Sequence, residues 1–231
     1  MKSAVLLSIC ALTFLFGNSA QAGWVTVPGM MASGYSVNIK STSIKERRFR
    51  ATVRQQYDYS CGSAALATLL TYQYRDPVSE EAVFKVMWRN GDQEKIRREG
   101  FSLLDIKGYL QESGYDANGY VAPLDKLVEV GIPAIALIKD KGYNHFVVVK
   151  GVQNGQVLLG DPSVGSRIVS RAEFEKMWQN RILFVITGKR EEVVFNAKSD
   201  WQIRPQAPLS MAAGPGNLSN IGLLRRAPND F

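Results

Sequence analysis

The stretch His145-Phe146-Val147-Val148-Val149-Lys150-Gly151-Val152-Gln153-Asn154-Gly155-Gln156-Val157-Leu158-Leu159-Gly160-Asp161 contains two β-prone apolar runs around Asn154-Gly155. Asn-Gly tolerates the positive φ that a two-residue hairpin turn demands, so the spacing predicts a β-hairpin. Asp161 lies sixteen residues beyond His145, and their midpoint, residue 153, falls in that turn. A simple hairpin then sets His145 and Asp161 directly opposite each other on one sheet. A carboxylate there accepts a hydrogen bond from one imidazole nitrogen and fixes the tautomer, leaving the other nitrogen for chemistry. His145 is the only histidine in the chain.

More strands flank the hairpin. Ile132 to Ile138, Arg167-Ile168-Val169 and Ile182 to Thr187 read as strands, and Tyr115 to Val121 as extended chain. Leu124 to Val130 reads as a short helix and Ser170 to Trp178 as a capped one. The preceding half is helical. Gly62 to Tyr74 follows Ser60 as an N-cap, Ser79-Glu80-Glu81 opens a helix running to about Trp88, and Ser102-Leu103-Leu104-Asp105 opens a third. Trp88 and Trp178 fall in helix patterns and are expected in the core. Helices first and strands afterwards predict an α+β fold, a helical half facing an antiparallel sheet.

The ends have a different character. Lys2, the apolar run Ala4 to Phe16 and the small-x-small site Ala20-Gln21-Ala22 form the three parts of a secretory signal peptide, residues 1–22. No later segment is long and apolar enough to span a bilayer, so no transmembrane segment is expected after cleavage. Residues 23–49 read as a β-prone lead-in, with Ser36 to Lys40 and Phe49 to Val53 alternating as strands do. The globular domain is expected over 50–188. Residues 189–231, with Pro205, Pro208, Gly214, Pro215 and Gly216, read as an extended tail.

Signal cleavage removes Cys10 and leaves Cys61 as the only cysteine. A lone thiol in an oxidising compartment has no internal disulfide partner, which points to burial or a chemical role. Cys61 falls at the first turn of the Gly62 to Tyr74 helix. A helix N-terminus and a nearby imidazolium both favour the thiolate, and first-turn amides are free to bind an oxyanion. Gly62 is expected to let a substrate approach the backbone. A second oxyanion donor is available from Gln55 or Gln56, and spacing does not choose between them.

Gln55-Gln56-Tyr57-Asp58-Tyr59-Ser60-Cys61-Gly62-Ser63-Ala64-Ala65, Asn144 to Val149 and Asp161-Pro162 together resemble the C39 peptidase family over roughly residues 50–187. The resemblance implies a papain-like cysteine peptidase fold, with Cys61 as nucleophile, His145 as base and Asp161 as orienter. It assigns the oxyanion hole to Gln55, six residues before the cysteine. Known members include leader-processing domains fused to transporters and cutting after a double glycine. With an expected signal peptide and no transporter sequence among these residues, the chain is similar to the free-standing exported members, some of which accompany secretion systems for functional amyloid.

The expected activity is peptide-bond hydrolysis through a thioester acyl-enzyme, acting on a secreted or periplasmic protein or peptide substrate. The periplasm is the expected compartment, ahead of the exterior. The alternative is a catalytically silent docking module that binds a secreted substrate, and another acyl transfer on the same scaffold is a third reading. No cofactor is expected. One histidine and one cysteine do not make a usual zinc site. The net charge of +7 comes in short pieces such as Lys45 to Arg50 and Lys95 to Arg98, without a nucleic-acid motif, so no nucleic-acid partner is expected.

Overall fold

The computed structural model describes residues 23–27, 37–41, 43–188 and 193–203. The chain divides into two compact units between Ser43 and Ile44. In the first, β1 (Gly23–Val27) and β2 (Val37–Ser41) pair antiparallel. The expected signal peptide lies outside the described residues.

The second unit opens with α1 (Ile44–Arg48), and residues 49–52 turn. The strand expected at Phe49 to Val53 is therefore absent. The Lys-Glu-Arg-Arg run before it favours helix, and the Val53 amide bonds the Thr68 hydroxyl at 2.9 Å instead of a neighbouring strand.

The helical half starts at α2 (Cys61–Thr68), which continues as a π turn over Leu69–Gln73. Every residue of α2 is buried. Its small side chains let other elements pack close. Gly62 shows this most sharply: a Cβ there would lie 2.8 Å from the Phe101 Cβ. The glycine thus makes room for the protein's own core rather than for substrate, a correction to the expectation. Next come α3 (Glu80–Asn90), α4 (Gln93–Glu99) and α5 (Leu103–Glu112), with Ser79, Asp92 and Ser102 accepting a bond from the first turn of each. In the sequence, Lys95 to Arg98 stands out only as a basic patch. The Asp92 cap and the buried Ile96 make it α4.

The strands are β3 (Ala117–Val121), β4 (Ala134–Asp140), β5 (Tyr143–Gln153), β6 (Gln156–Asp161), β7 (Gly165–Ser170) and β8 (Ile182–Ile186). They form one antiparallel sheet in the order β3-β8-β4-β5-β6-β7. Helices α6 (Asp125–Val130) and α7 (Arg171–Met177) complete the α+β fold. The central strand is buried on both faces. Phe146 and Val148 join the cluster built on α2, α3 and α5, while Val147 and Val149 join Leu127 of α6 and Phe174 of α7. An unbroken apolar run is what two-sided burial requires.

Part of the expected tail is instead docked. Val194 N–H donates to the Gln73 carbonyl at 2.8 Å and Asn196 N–H to the Lys150 carbonyl at 2.9 Å. Val193 and Phe195 pack on the core, and α8 (Lys198–Trp201) follows. The run Val193-Val194-Phe195 supplies the apolar surface that holds this segment down.

Candidate active site

β5 and β6 bring His145 and Asp161 together, but diagonally. Asn154 and Gly155 take φ of 51° and 70°, as the turn requires. The turn pairs Gln153 with Gln156 and Gly151 with Leu158. A bulge at Lys150 then shifts the register, pairing Val149 with Leu159 and Val148 with Gly160. One residue further, Asp161 stands beside Val147, and His145 is the next side chain on that face. The hairpin axis lies between residues 154 and 155 rather than at 153, so direct opposition fails by two residues. The side chains span the remaining diagonal, and His145 Nε2 lies 2.7 Å from Asp161 Oδ1.

Cys61 begins α2, is nearly buried and is a free thiol. Its thiol is near enough to the His145 ring to favour the imidazolium. Asp161 occupies Nε2, so the nitrogen left for Cys61 is Nδ1. The ring is 14% exposed and the carboxylate 2%, which makes the pair accessible from one side only. Burial opposes the imidazolium. The hydrogen bonds and negative charges of Asp161 and Cys61 outweigh it and carry the His145 pKa up to about 9. Burial likewise opposes the Asp161 carboxylate, and the bonds from His145 and Ser163 overcome it, bringing its pKa down to about 2.

The loop before Cys61 distinguishes the two glutamines. Gln56 is exposed, whereas Gln55 is half-buried. The Gln55 backbone N–H donates to the Pro162 carbonyl at 3.1 Å, tying this loop to the Asp161 turn. Its Nε2 donates to the Tyr57 carbonyl at 3.1 Å and, more weakly, to the Asp58 carbonyl at 3.5 Å. The buried Oε1 has no partner among the described residues. Ser60 occupies the expected N-cap position without capping: its hydroxyl accepts from Tyr57 N–H at 3.1 Å and donates to the Tyr57 carbonyl at 3.0 Å. As the first residue of the helix, Cys61 has an amide with no acceptor inside the helix. Tyr57 stacks on Tyr59 with ring centroids 5.7 Å apart, and Tyr59 leans on Phe84 and Trp88 of α3, bracing the loop.

Sequence reasoning missed two groups behind Asp161. Ser163 donates to Asp161 Oδ1 twice, from its amide at 2.9 Å and its hydroxyl at 2.7 Å. The Asp-x-Ser order is the signature of such an Asx turn. Arg167 Nη2 sits 3.0 Å from both Asp161 Oδ2 and Asp140 Oδ2. Its N–H bonds point elsewhere, so this contact is one of charge rather than hydrogen bonding. Glu80, buried on α3, accepts from the Ser63 hydroxyl at 3.0 Å and steadies the first turn of α2.

A thiol at a helix start, an imidazole against it and a buried carboxylate behind the ring together suit nucleophilic acyl transfer. Residues 50–190 match the profile of the peptidase C39 family. A Pseudomonas fluorescens protein named probable functional amyloid protease FapD is 39% identical over 215 residues, spanning 93% of this chain and 92% of the relative. Its Pseudomonas aeruginosa namesake is 40% identical over 185 residues, 80% of each chain. The peptidase domain of Streptococcus ComA, a transporter involved in quorum sensing, shares the fold at a TM-score of 0.51 and 23% identity, covering 60% of this chain and 98% of that domain. This chain belongs to the peptidase C39 family and is a cysteine peptidase.

Proposed function

We propose that this peptidase is exported and cuts a secreted or periplasmic protein through a thioester acyl-enzyme, in the service of a functional-amyloid system. The observation that carries the chemistry is the 2.7 Å His145–Asp161 bond, with the Cys61 thiol near enough to the same ring to favour its protonated form. The Cys61 thiolate attacks the scissile carbonyl carbon. The oxyanion is held by the Cys61 amide and by Gln55 Nε2, released from its long contact with the Asp58 carbonyl. The His145 imidazolium gives its proton to the leaving amine as the C–N bond breaks, and a thioester remains. Water then attacks the thioester while His145 takes its proton, freeing the acid and the thiolate. Asp161 holds the ring in orientation throughout.

Export is supported by the Lys2, Ala4 to Phe16 and Ala20-Gln21-Ala22 pattern. The amyloid connection is supported by the two similar proteins named for it. The test is co-expression of the mature chain, or its Cys61→Ala variant, with proteins encoded beside it, followed by intact-mass measurement. A partner fragment that vanishes with Cys61→Ala is the expected result. Identical masses, with the variant still holding a partner, would replace this reading with the docking module.

A further inference from the structure

A cleft of about 450 Å³ lies beside the Asp161 turn, lined by Lys45, Arg48, Phe49, Arg54, Ser163 and Val164. It adjoins the reacting groups at two points. Ser163 donates to Asp161, and Arg54 directly precedes Gln55, whose amide is bonded to Pro162 of the same turn. The wall is set by close packing: Gly165, at φ +84°, brings its Cα so near Arg48 that a Cβ would lie 2.6 Å from the Arg48 Cβ. Only glycine suits both that φ and that approach.

The three cations of the cleft are exposed, and no carboxylate among the described residues pairs with them. The Arg54 guanidinium lies 4.1 Å from the Phe49 ring centroid, which orders it in advance of any ligand. A concave surface with three cations that no described carboxylate pairs, two of them arginines with forked donors, is complementary to carboxylates. No like set faces it from across the cleft: the remaining lining is Phe49, Ser163 and Val164.

We infer that this cleft is a substrate subsite that takes an acidic stretch of the polypeptide being cut. The inference rests on the proposed peptidase reading and adds specificity to it. From His145 Nε2 to Asp161 and from Asp161 to Ser163 are two contacts of 2.7 Å. These contacts set the Ser163 edge of the cleft within about two residues of extended chain from the ring, at ~3.3 Å per residue, so the bound acidic residues lie close to the scissile bond in sequence.

Binding tests this without turnover. Full-length mature Cys61→Ala protein is titrated into a fluorescein-labelled octapeptide alternating Glu and Gly, and into the same peptide with Gln for Glu, with anisotropy as readout. The expected result is about tenfold tighter binding of the Glu peptide, weakening with salt. Lys45→Glu/Arg48→Glu/Arg54→Glu abolishes that preference, and the milder Lys45→Gln/Arg54→Gln reduces it if the triple variant does not keep its thermal melt. Reversing Lys95, Arg97 and Arg98 on α4 leaves it unchanged. An equal loss from the α4 reversal would assign the attraction to net charge and overturn the inference. Equal binding and equal loss with an oligothymidylate of the same charge would also overturn it, in favour of polyphosphates. Failure here leaves the Cys61-dependent cleavage test untouched, so the two readings fall separately. When a cleavage site is found, the absence of Asp or Glu from the residues flanking it would likewise sink the subsite.

Discussion

Strand β5 carries two buried charge pairs, His145–Asp161 near its start and Lys150–Asp200 in its middle. Both close at 2.7 Å. Their surroundings differ. The Lys150 side chain has no exposure, and its Nζ also donates to the Ala51 carbonyl at 2.9 Å. Burial outweighs the pull of Asp200 and lowers the lysine's pKa. The pair fastens residues 193–203 to the sheet and offers nothing to a visitor. His145 keeps one nitrogen for Cys61 and one edge open. A charge pair can therefore be closed off to hold structure or left one contact short to do chemistry, and the distinction lies in the uncommitted atom.

The widest separation between the two comes from Asp161→Asn. Its kcat is expected to fall by roughly 10²- to 10⁴-fold with the fold intact. The alkaline limb of the pH–rate profile, set by His145 near 9 in the wild type, moves to lower pH because the carboxylate no longer supports the imidazolium. An unmoved limb would show that Asp161 does not hold that proton. The stability side has two windows. The His145 contribution is complete below its ordinary 6.5 and is lost as pH rises through about 9. The Asp161 contribution is complete above 3.8 and is lost as pH falls toward about 2. Thermal melts across pH check both.

Asp200→Ala reverses the pattern. It strands a buried ammonium and is expected to cost about 3 kcal/mol in urea unfolding, with kcat of the folded protein unchanged. Lys150→Met/Asp200→Leu recovers most of the loss. A matching fall in kcat would mean that the pairs are coupled along β5 and that the contrast is false. Ser163→Ala is the finest probe. It removes one of three bonds to Asp161 Oδ1 and is expected to lower kcat about fivefold, in line with a contribution near 1 kcal/mol.

The same contrast explains what could be read from the sequence. His145 and Asp161 were legible because one hairpin joins them and Asn154-Gly155 marks its turn. The choice of Gln55 over Gln56 as an oxyanion donor came only from a family motif, since spacing alone left both open. Lys150 and Asp200 were not legible: they are fifty residues apart, and the second lies in a segment whose only cue is Val193-Val194-Phe195. The bulge was invisible too, since Lys150-Gly151 has no period of its own to break. The Phe49 to Val53 alternation misled because five residues satisfy a strand pattern while their amides find other partners. Ser163 carried a usable signal in the Asp-x-Ser turn, whereas Arg167 met Asp161 only through strand pairing.

The bulge at Lys150 bears on how this enzyme tolerates change. Extending the unbulged pairing of Gly151 with Leu158 would set Asp161 beside Val148, on the opposite face from His145. Flattening the bulge, with Lys150 drawn into the ladder opposite Leu159, would thus keep the strands and the turn while turning the acid and the base back to back, whereas deleting residue 150 would leave their pairing as it is. Insertions in the solvent-facing turn at 154–155 carry no such parity as long as both strands still zip in their present phase. The tip of the hairpin is thus free to change length, while the phase set in the middle of its longer arm decides whether acid and base share a face.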